Sequence, residues 1–597
     1  MAPPRPPSQC CAAATASACS STPRAALTCK GRSARGWTAS TGPQRRGSRS
    51  TSIPIVSFER RYLHRSGAAS KAWWGPSGPG EPKMRKATIA VMALIAAMTT
   101  TGAEAKWLRA DTDNFIIYSE SSERSLRSFA EKLQRFDATL RVRLRIPGGK
   151  EPNRLTIYLV PRAADAGRLA TGESGSSIAG FYSADLDGSF AVSHREVIEF
   201  KGTSAAQQTL FHEYTHHFMK RYFAAAFPAW FIEGFAEFYS TADFTGKGQY
   251  QVGRPAYFRA HGLINMPRIP VADLLLKKPR EMRSSGQMDV YYGRAWLLTH
   301  MLYYHPDRAG QLTAYIDAIN RGEDGEKAAV AAFGDLVALD RDLQRYLGRP
   351  LTFMTSAEPI PVPGTVTVTV LPNAEDALLQ WRLERRSARG GERLAEVRDE
   401  LRKLTAEYGD SAGIWYELAR AEWDLGDEKR DAAAARAAVD KALAIEPKHV
   451  RANILLGEMM IHDLGHRDTV SNADWVAARQ PIILANNTDP DDPVPLYAYY
   501  DSFLRQGITP PKIAVTGLER AFALGPESAD ARIAYALALA HDGDLDRATR
   551  LAKVVAFDPH DDGQGERILA QIESMRERSG GTGKGAAAPV APADADQ

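Results

Sequence analysis

The sequence predicts an α+β domain with a small mixed sheet, followed by an all-helical domain made of repeats. Three observations support this fold class. β-Strand patterns flank an amphipathic helix after residue 106, a stretch rich in His and Glu lies in helical patterns, and helices recur from about residue 374. With 44% hydrophobic and 24% charged residues, the 597-residue chain has the composition of a globular protein with about two to four domains.

Residues 1–83 differ in composition from the rest of the chain. They carry thirteen Lys and Arg residues against two acids, a net charge of +11, and all four cysteines. Because the whole chain has a net charge of +4, the remainder carries −7, and nothing in it indicates a nucleic-acid-binding surface. The segment is rich in Ala, Arg, Ser, Pro and Gly without any period, so we expect it to be disordered.

Residues 84–105 have the pattern of a secretory signal peptide. Arg85 and Lys86 precede an apolar stretch, and an Ala-x-Ala site follows at the end. We therefore expect translation to start at Met84, with residues 1–83 an over-extended gene prediction, and the mature protein to be exported, most simply to a bacterial periplasm. The apolar stretch is too short to cross a bilayer comfortably, so no membrane span is expected after cleavage.

Residues 106–350 are expected to form the α+β domain. The stretches NFIIYSE and RLTIYLVPR have strand character and lie on either side of an amphipathic helix over residues 121–144. Residues 178–195 predict a β-hairpin with Asp187-Gly188 as its turn. Helical patterns dominate the remainder of this domain.

Two segments are expected to lack a core of their own. Residues 351–373 are rich in Pro, Thr and Val, which predicts a linker with a short strand in it. Residues 579–597 are rich in Gly, Ala and Pro, which predicts a disordered tail.

Residues 374–578 repeat a helical pattern. Pro526 and Pro559 lie 33 residues apart, Pro447 lies 79 residues before Pro526, and Gly-Asp turns separate the helices. This pattern resembles tetratricopeptide repeats, which have a period of about 34 residues, with one irregular insertion at residues 486–495. A plain helical bundle is the alternative. If the repeats are present, they are expected to bind a protein partner or substrate.

The candidate metal ligands and the candidate general base lie in the stretch from residue 209 to 239. His212, Glu213 and His216 form an H-E-x-x-H motif in a helical pattern for which Thr203 and Ser204 are capping candidates. Residues four apart on a helix face the same way, so both imidazoles can bind one metal ion. Glu213 lies beside the first ligand, where its carboxylate can accept a proton from a water molecule without binding the metal.

A third ligand is expected from the next helix. Glu233 follows His216 after sixteen residues, enough for a helix end, a loop closed by Pro228 and a return. Since residues after 83 contain no cysteine, a Zn²⁺ site must use histidine and carboxylate. The alternative is structural: His212 and His216 would be core histidines, hydrogen-bonded to Glu233 and Glu237 without a metal.

Three further histidines are expected to have other roles. His217 lies off the face of His212 and His216, so we expect it at the surface or behind the ligands. His194 and His300 are interpreted as structural.

H-E-x-x-H followed by W-x-x-E-G-x-A resembles the gluzincin metallopeptidases, most closely the peptidase MA-like group. The resemblance covers residues 106–350 in element order and implies a zincin-like fold for them. It implies that Glu233 is the third zinc ligand, that Glu237 holds a ligand histidine, and that Glu213 is the general base of peptide hydrolysis. The absence of a G-x-M-E-N-like motif favours an endopeptidase.

Two tyrosines are candidates for stabilising the oxyanion. Related gluzincins carry a tyrosine in a helix after the motif, and both Tyr291 and Tyr292 occupy such a helix here. Spacing does not separate them, and either could instead only pack in the core. The strand at residues 188–195 is expected to be the sheet edge that pairs with an extended peptide.

The sequence thus predicts an exported zinc peptidase that acts on a peptide or protein, with repeats that recruit the substrate or a partner. The alternative is a catalytically weak or inactive peptidase-like scaffold that acts through its tetratricopeptide repeats. An intact Glu213 favours the first, because a structural metal site needs ligands but no base.

Overall fold

The computed structural model describes residues 106–176, 178–195, 199–200, 203–388, 390–426 and 429–580, all within one compact unit. The predicted gene extension, the signal peptide and residues 581–597 of the predicted tail lie outside the described residues, while residues 579–580 end the last helix. Among the described helices, none is long and apolar enough to cross a membrane.

Eleven short strands form three sheets in the described residues. They are β1 (Leu108–Asp111), β2 (Phe115–Ser119), β3 (Leu155–Val160), β4 (Phe181–Ser183), β5 (Phe190–His194), β6 (Glu199–Phe200), β7 (Thr203–Ser204), β8 (Asp243–Phe244), β9 (Tyr250–Val252), β10 (Met354–Thr355) and β11 (Thr367–Val370). The main sheet has the order β11-β1-β2-β3-β5-β4, in which β2, β3 and β5 are parallel and the other neighbours antiparallel. A small mixed sheet was predicted, and it is confirmed.

The β4–β5 hairpin corrects the predicted sheet edge. Its turn contains Gly188 with a φ of +102°, a backbone conformation that suits glycine, as the Asp-Gly pair predicts. β5, expected at the edge, lies between β3 and β4. The edge belongs to β4, the first strand of the predicted hairpin.

Ten of the described helices surround this sheet. They are α1 (Glu123–Leu144), α2 (Ala163–Thr171), α3 (Ala205–Tyr222), α4 (Ala229–Ser240), α5 (Ala260–Asn265), α6 (Val271–Leu276), α7 (Ser285–Tyr304), α8 (Gln311–Arg321), α9 (Gly325–Phe333) and α10 (Leu336–Leu347), with 3₁₀ turns at Tyr257–Arg259, Pro279–Glu281 and Pro306–Arg308. A hydrophobic core joins α1, α3, α4 and α7 to one face of the sheet, with Phe136, Phe211, Trp230 and Trp296 fully buried in it.

The predicted linker 351–373 takes part in the sheets. β11 pairs antiparallel with β1, and β10 pairs with β9. Only the short strand in this stretch was expected. The Thr/Val alternation of residues 365–370 fits a strand at the edge of a sheet, where one side faces water.

Eleven further helices of the described chain form an all-helical, repeat-like region. They are α11 (Asn373–Ser387), α12 (Gly391–Glu407), α13 (Ala412–Trp423), α14 (Ala432–Ile445), α15 (Val450–Gly465), α16 (Asn472–Thr488), α17 (Pro493–Arg505), α18 (Lys512–Leu524), α19 (Ala529–His541), α20 (Leu545–Ala556) and α21 (Gln564–Gly580). Consecutive helices from α13 to α20 form four contacting pairs, each followed by a proline: Pro447, Pro490, Pro526 and Pro559. The prediction of a helical, repeat-like region is confirmed.

The stretch 486–495 is regular, contrary to the predicted insertion. α16 ends at Thr488 and α17 begins at Pro493, so this stretch contains an ordinary turn between two helix pairs. Pro490 within it occupies the same place as the other three prolines. The longer spacing before it arises because α15 and α16 have 16 and 17 residues.

The β4–β5 turn inserts between arginines of the repeats. Asp187 forms an ion pair with Arg451 of α15, and Asp185 lies 3.7 Å from Arg386 of α11. Burial opposes the charge of Asp187, but Arg451 and its arginine neighbours hold the pKa of this carboxyl below its usual value. One face of the helical region is therefore occupied by the chain itself.

Candidate metal centre

α3 is docked through the face opposite its histidines. Its N-cap is Ser204, whose side chain accepts a hydrogen bond from the backbone N–H of Gln207, as the capping pattern predicts. Phe211 stacks on Phe136 of α1 with 3.8 Å between ring centroids, and the hydroxyl of Tyr214 donates to Asp137 at 2.6 Å. With this face fixed against α1, the H-E-x-x-H face turns toward α4.

α3 and α4 bring three predicted ligands together. Nε2 of His212 lies 3.0 Å from Nε2 of His216, and each lies 3.3 Å from Oε2 of Glu233. Among the described residues, this is the one group of three or more His, Cys, Asp or Glu side chains with a geometry that could hold a metal ion. The local spacing of the motif and the short return to α4 are sufficient to assemble it.

The arrangement fits a divalent cation such as Zn²⁺. Ligand atoms on a tetrahedral zinc ion lie about 3.3 Å apart, given bond lengths of roughly 2.0–2.1 Å. Glu233 is fully buried, yet neither of its oxygens makes a well-directed hydrogen bond to a described residue. A buried carboxylate without such bonds is costly unless it is paired or binds a metal. Two imidazoles and one carboxylate are a donor set that zinc prefers.

Glu237 lies behind His212. Its Oε1 is 3.3 Å from Nδ1 of His212. Arg259 donates to both oxygens of Glu237, at 2.7 and 3.1 Å, and a third nitrogen of the guanidinium donates to Asp289 at 2.8 Å. A carboxylate on Nδ1 fixes the ring so that Nε2 points at the metal position.

The charges of this site favour a cation. Burial opposes protonation of His212, but the carboxylates of Glu233 and Glu237 outweigh it and raise the pKa of this imidazole to about 10. Burial also opposes ionisation of Glu237, yet Arg259 and His212 lower its pKa to about 2. The pKa of Glu233 is likewise held well below its usual value, against its burial, by His216 and the neighbouring imidazoles.

The catalytic candidates occupy different surroundings. Glu213 is half-buried next to the ligand pair on α3. Tyr291 is fully buried and its hydroxyl donates to the carbonyl of Lys277 at 2.8 Å, so this group is engaged in the core. Tyr292 instead lies with its ring 6.1 Å from that of His212, beneath the guanidinium of Arg259. Of the two tyrosines, Tyr292 is the one beside the candidate metal centre.

His217 and His300 lie apart from the ligand cluster. His217 is buried rather than at the surface, and its Nδ1 is hydrogen-bonded to the hydroxyl of Tyr182 at 3.0 Å. His300 is fully buried, with Nδ1 2.9 Å from the hydroxyl of Tyr346 and Nε2 2.9 Å from the carbonyl of Thr352. Such satisfied contacts fit the structural role expected for His300.

A cavity of about 510 Å³ opens beside the centre. Edge strand β4, α3 and α4 line one side of it, and the last helices of the repeats line the other. Its walls contain both charged and apolar side chains. Side chains that define it include Tyr182, His216, Met219, Phe223, Arg532 and Val555.

Sequence reasoning missed two groups at this centre. Arg259 lies in a 3₁₀ turn with no motif around it. His560 lies in the loop after α20, with Nε2 3.2 Å from Oε1 of Glu233. The sequence contains many arginines, and no pattern identifies Arg259 among them as the partner of Glu237. The spacing of the prolines gives the position of His560 within the repeats, but it does not indicate that His560 lies close to α4.

No family model matches this chain, and no curated protein matches it. Among solved structures, the crystal structure of a thermophilic TPR protein from Thermus thermophilus is similar to part of it, with 16% identity and a TM-score of 0.26. The match covers 31% of this chain and 92% of that chain. At this level of similarity, nothing about function follows from it.

Proposed function

We propose that the protein is a zinc-dependent peptidase. The observation that carries the proposal is the convergence of two imidazoles and the buried carboxylate of Glu233 on one point, beside a cavity. A zincin-like fold for residues 106–350 and its gluzincin resemblance belong to the same proposal. Endopeptidase action and export to a periplasm remain proposals made from sequence.

Each residue has a defined part in this proposal. His212, His216 and Glu233 would hold the ion, which supplies Lewis acidity that polarises a carbonyl group and lowers the pKa of a water molecule. Glu213 would accept a proton from the attacking water molecule and pass it to the leaving nitrogen. Tyr292 donates a hydrogen bond to the oxygen on which negative charge develops.

The cavity and the sheet edge support a peptide as substrate. Among the described strands, β4 is the last of the main sheet on the side of α3, and an extended peptide can add to such an edge through its backbone N–H and C=O groups. Tyr182 and Ser183 of β4 line the same cavity as His216. A peptide held there would present its backbone to the metal centre.

The substitution Glu213→Gln tests the proposal. It removes the proton acceptor but leaves the three ligands, so we expect unchanged zinc content and a loss of peptide hydrolysis of at least about 10²-fold. Glu326→Gln, an exposed acid at the start of α9, is the control for loss of one charge. Zinc per chain is measured before and after chelation, and hydrolysis is followed on a broad peptide library.

A scaffold that binds a protein partner is the second candidate function. It is favoured by the row of arginines, Arg386, Arg420 and Arg451, that the helical region turns toward the acidic β4–β5 turn. A partner with an acidic segment would bind the same face after displacing Asp187. If wild type and Glu213→Gln are equally inert on the library, this second candidate replaces the first.

A further inference from the structure

A loop of the repeats reaches the candidate metal centre. Nε2 of His560 lies 3.2 Å from Oε1 of Glu233, while Oε2 of the same carboxylate lies 3.3 Å from both His212 and His216. The rings of His560 and His216 are 5.8 Å apart and nearly perpendicular. The two histidines of α3 therefore contact Oε2 of Glu233, and His560 of the repeats contacts Oε1.

The loop that carries His560 is held against α3. Asp558 accepts a hydrogen bond from the backbone N–H of His560 at 2.9 Å, which closes a tight turn around Pro559. The same carboxylate pairs with Lys220, four residues beyond His216 on α3, at 2.6 Å. One aspartate therefore both shapes the turn and binds it to the helix of the ligands.

Two cations of the N-terminal part hold the ends of this loop. Lys278 donates to the carbonyl of Ala556 at 2.8 Å, and Arg280 donates to the carbonyl of Asp561. Both lie in or beside the 3₁₀ turn Pro279–Glu281. Since each end of the loop is tied through its backbone, the position of His560 depends little on its own side chain.

We propose that His560 is a positioning residue for Glu233, and that the repeats thereby complete the metal centre. This inference rests on the proposed zinc site. Nε2 of His560 lies within reach of Oε1 of Glu233, and with the ion bound it would donate a hydrogen bond there while Oε2 is directed at the ion between His212 and His216. A hydrogen bond to the second oxygen of a ligand carboxylate orients the first and strengthens metal binding.

The geometry assigns a positioning role rather than that of a fourth ligand. The cluster whose ligand atoms all lie within 4.8 Å of one another contains His212, His216 and Glu233, and His560 stands outside it. The site thus keeps the open position that a catalytic zinc needs. The side chain of His560 is 59% exposed, so its replacement opens no hole in the core.

The test is the zinc affinity of the full chain, measured by competition with a chromophoric chelator. We expect His560→Ala to bind zinc roughly 10–100-fold more weakly than wild type. His560→Gln retains an N–H donor of similar reach and should recover most of the affinity. His541→Ala, which removes an exposed histidine at the end of α19, should leave it unchanged.

The outcomes separate this inference from the proposed function. If wild type binds zinc and His560→Ala binds it equally tightly, the inference is overturned and the zinc site stands. If His560→Gln is as weak as His560→Ala, the hydrogen-bond role is overturned. Wild type that binds no zinc overturns the proposed function, and this inference with it.

Discussion

Glu237 accepts two hydrogen bonds from Arg259 and places its Oε1 3.3 Å from Nδ1 of His212. The guanidinium compensates a carboxylate that is almost fully buried, so it keeps Glu237 ionised and able to hold the imidazole. Since Asp289 holds the guanidinium in turn, the orientation of His212 depends on a chain of three groups on three different elements.

Arg259→Met should weaken zinc binding by roughly 10–100-fold, because Glu237 loses its counter-charge and no longer fixes the ring of His212. Chelator competition on the full chain measures this. Arg268→Met removes an arginine that is 55% exposed and 3.9 Å from its acidic partner, and it should bind zinc as wild type does. Equal affinity in both variants would contradict the role of Arg259.

Tyr292→Phe should lower kcat for peptide hydrolysis by about 10²–10³-fold with zinc content unchanged, since one donor to the oxyanion is lost. Tyr291→Phe is the matched control on the adjacent residue. It loses the bond to the Lys277 carbonyl, which costs about 0.5–1.5 kcal/mol of stability, but should hydrolyse peptides normally. The reverse pattern of activities would show that the wrong tyrosine has been assigned.

Gly234→Ala should lower the free energy of unfolding by about 1–3 kcal/mol. A Cβ at this position would lie 2.5 Å from the carbonyl oxygen of Ala295 and 2.4 Å from the Thr299 hydroxyl, so α4 and α7 would have to move apart. Gly246→Ala, where a Cβ meets nothing within 4 Å, is the control. Urea denaturation compares the two, and equal stabilities would mean that α4 and α7 do not approach so closely.

The free energy of unfolding should decrease as the pH is lowered from about 6.5 to 4, because of His300. Burial lowers its pKa to about 4, so below pH 6.5 the unfolded chain takes up a proton that the folded chain does not. The stability contributed at neutral pH is lost as pH falls toward 4, by up to about 3 kcal/mol.

Urea unfolding at several pH values, with a chelator present throughout, isolates this effect from metal binding. His300→Gln should have a flatter dependence on pH than wild type, whatever its absolute stability. His541→Gln, an exposed histidine, should retain the wild-type slope. Parallel curves for wild type and His300→Gln would exclude His300 as the source.

Local signals predicted the parts of the centre that lie close together in sequence. The i, i+4 spacing places His212 and His216 on one face of α3, and the E-G-x-A stretch after Pro228 places Glu233 opposite them. Ser204 was a capping candidate because its position precedes an unbroken helical pattern. Each of these features depends on a few consecutive residues, so it could be predicted from the sequence.

Long-range docking could not be predicted in the same way. Neither Arg259 nor His560 has a local sequence pattern that indicates the candidate metal centre, because both reach it through the packing of separate elements. Tyr291 and Tyr292 could not be separated because α7 is apolar on most of its sides, so its periodicity does not reveal which face meets α3. The order of β4 and β5 likewise depends on tertiary pairing.

The pairing of β11 with β1 determines where the N-terminal domain can be separated from the repeats. A fragment ended at residue 350, where the sequence places the boundary, would lack β11 and leave the backbone of β1 bare along one side. Exposed strand edges of this kind associate with one another and precipitate. A fragment extended to Leu371 would retain the covering strand and is the better choice for expression.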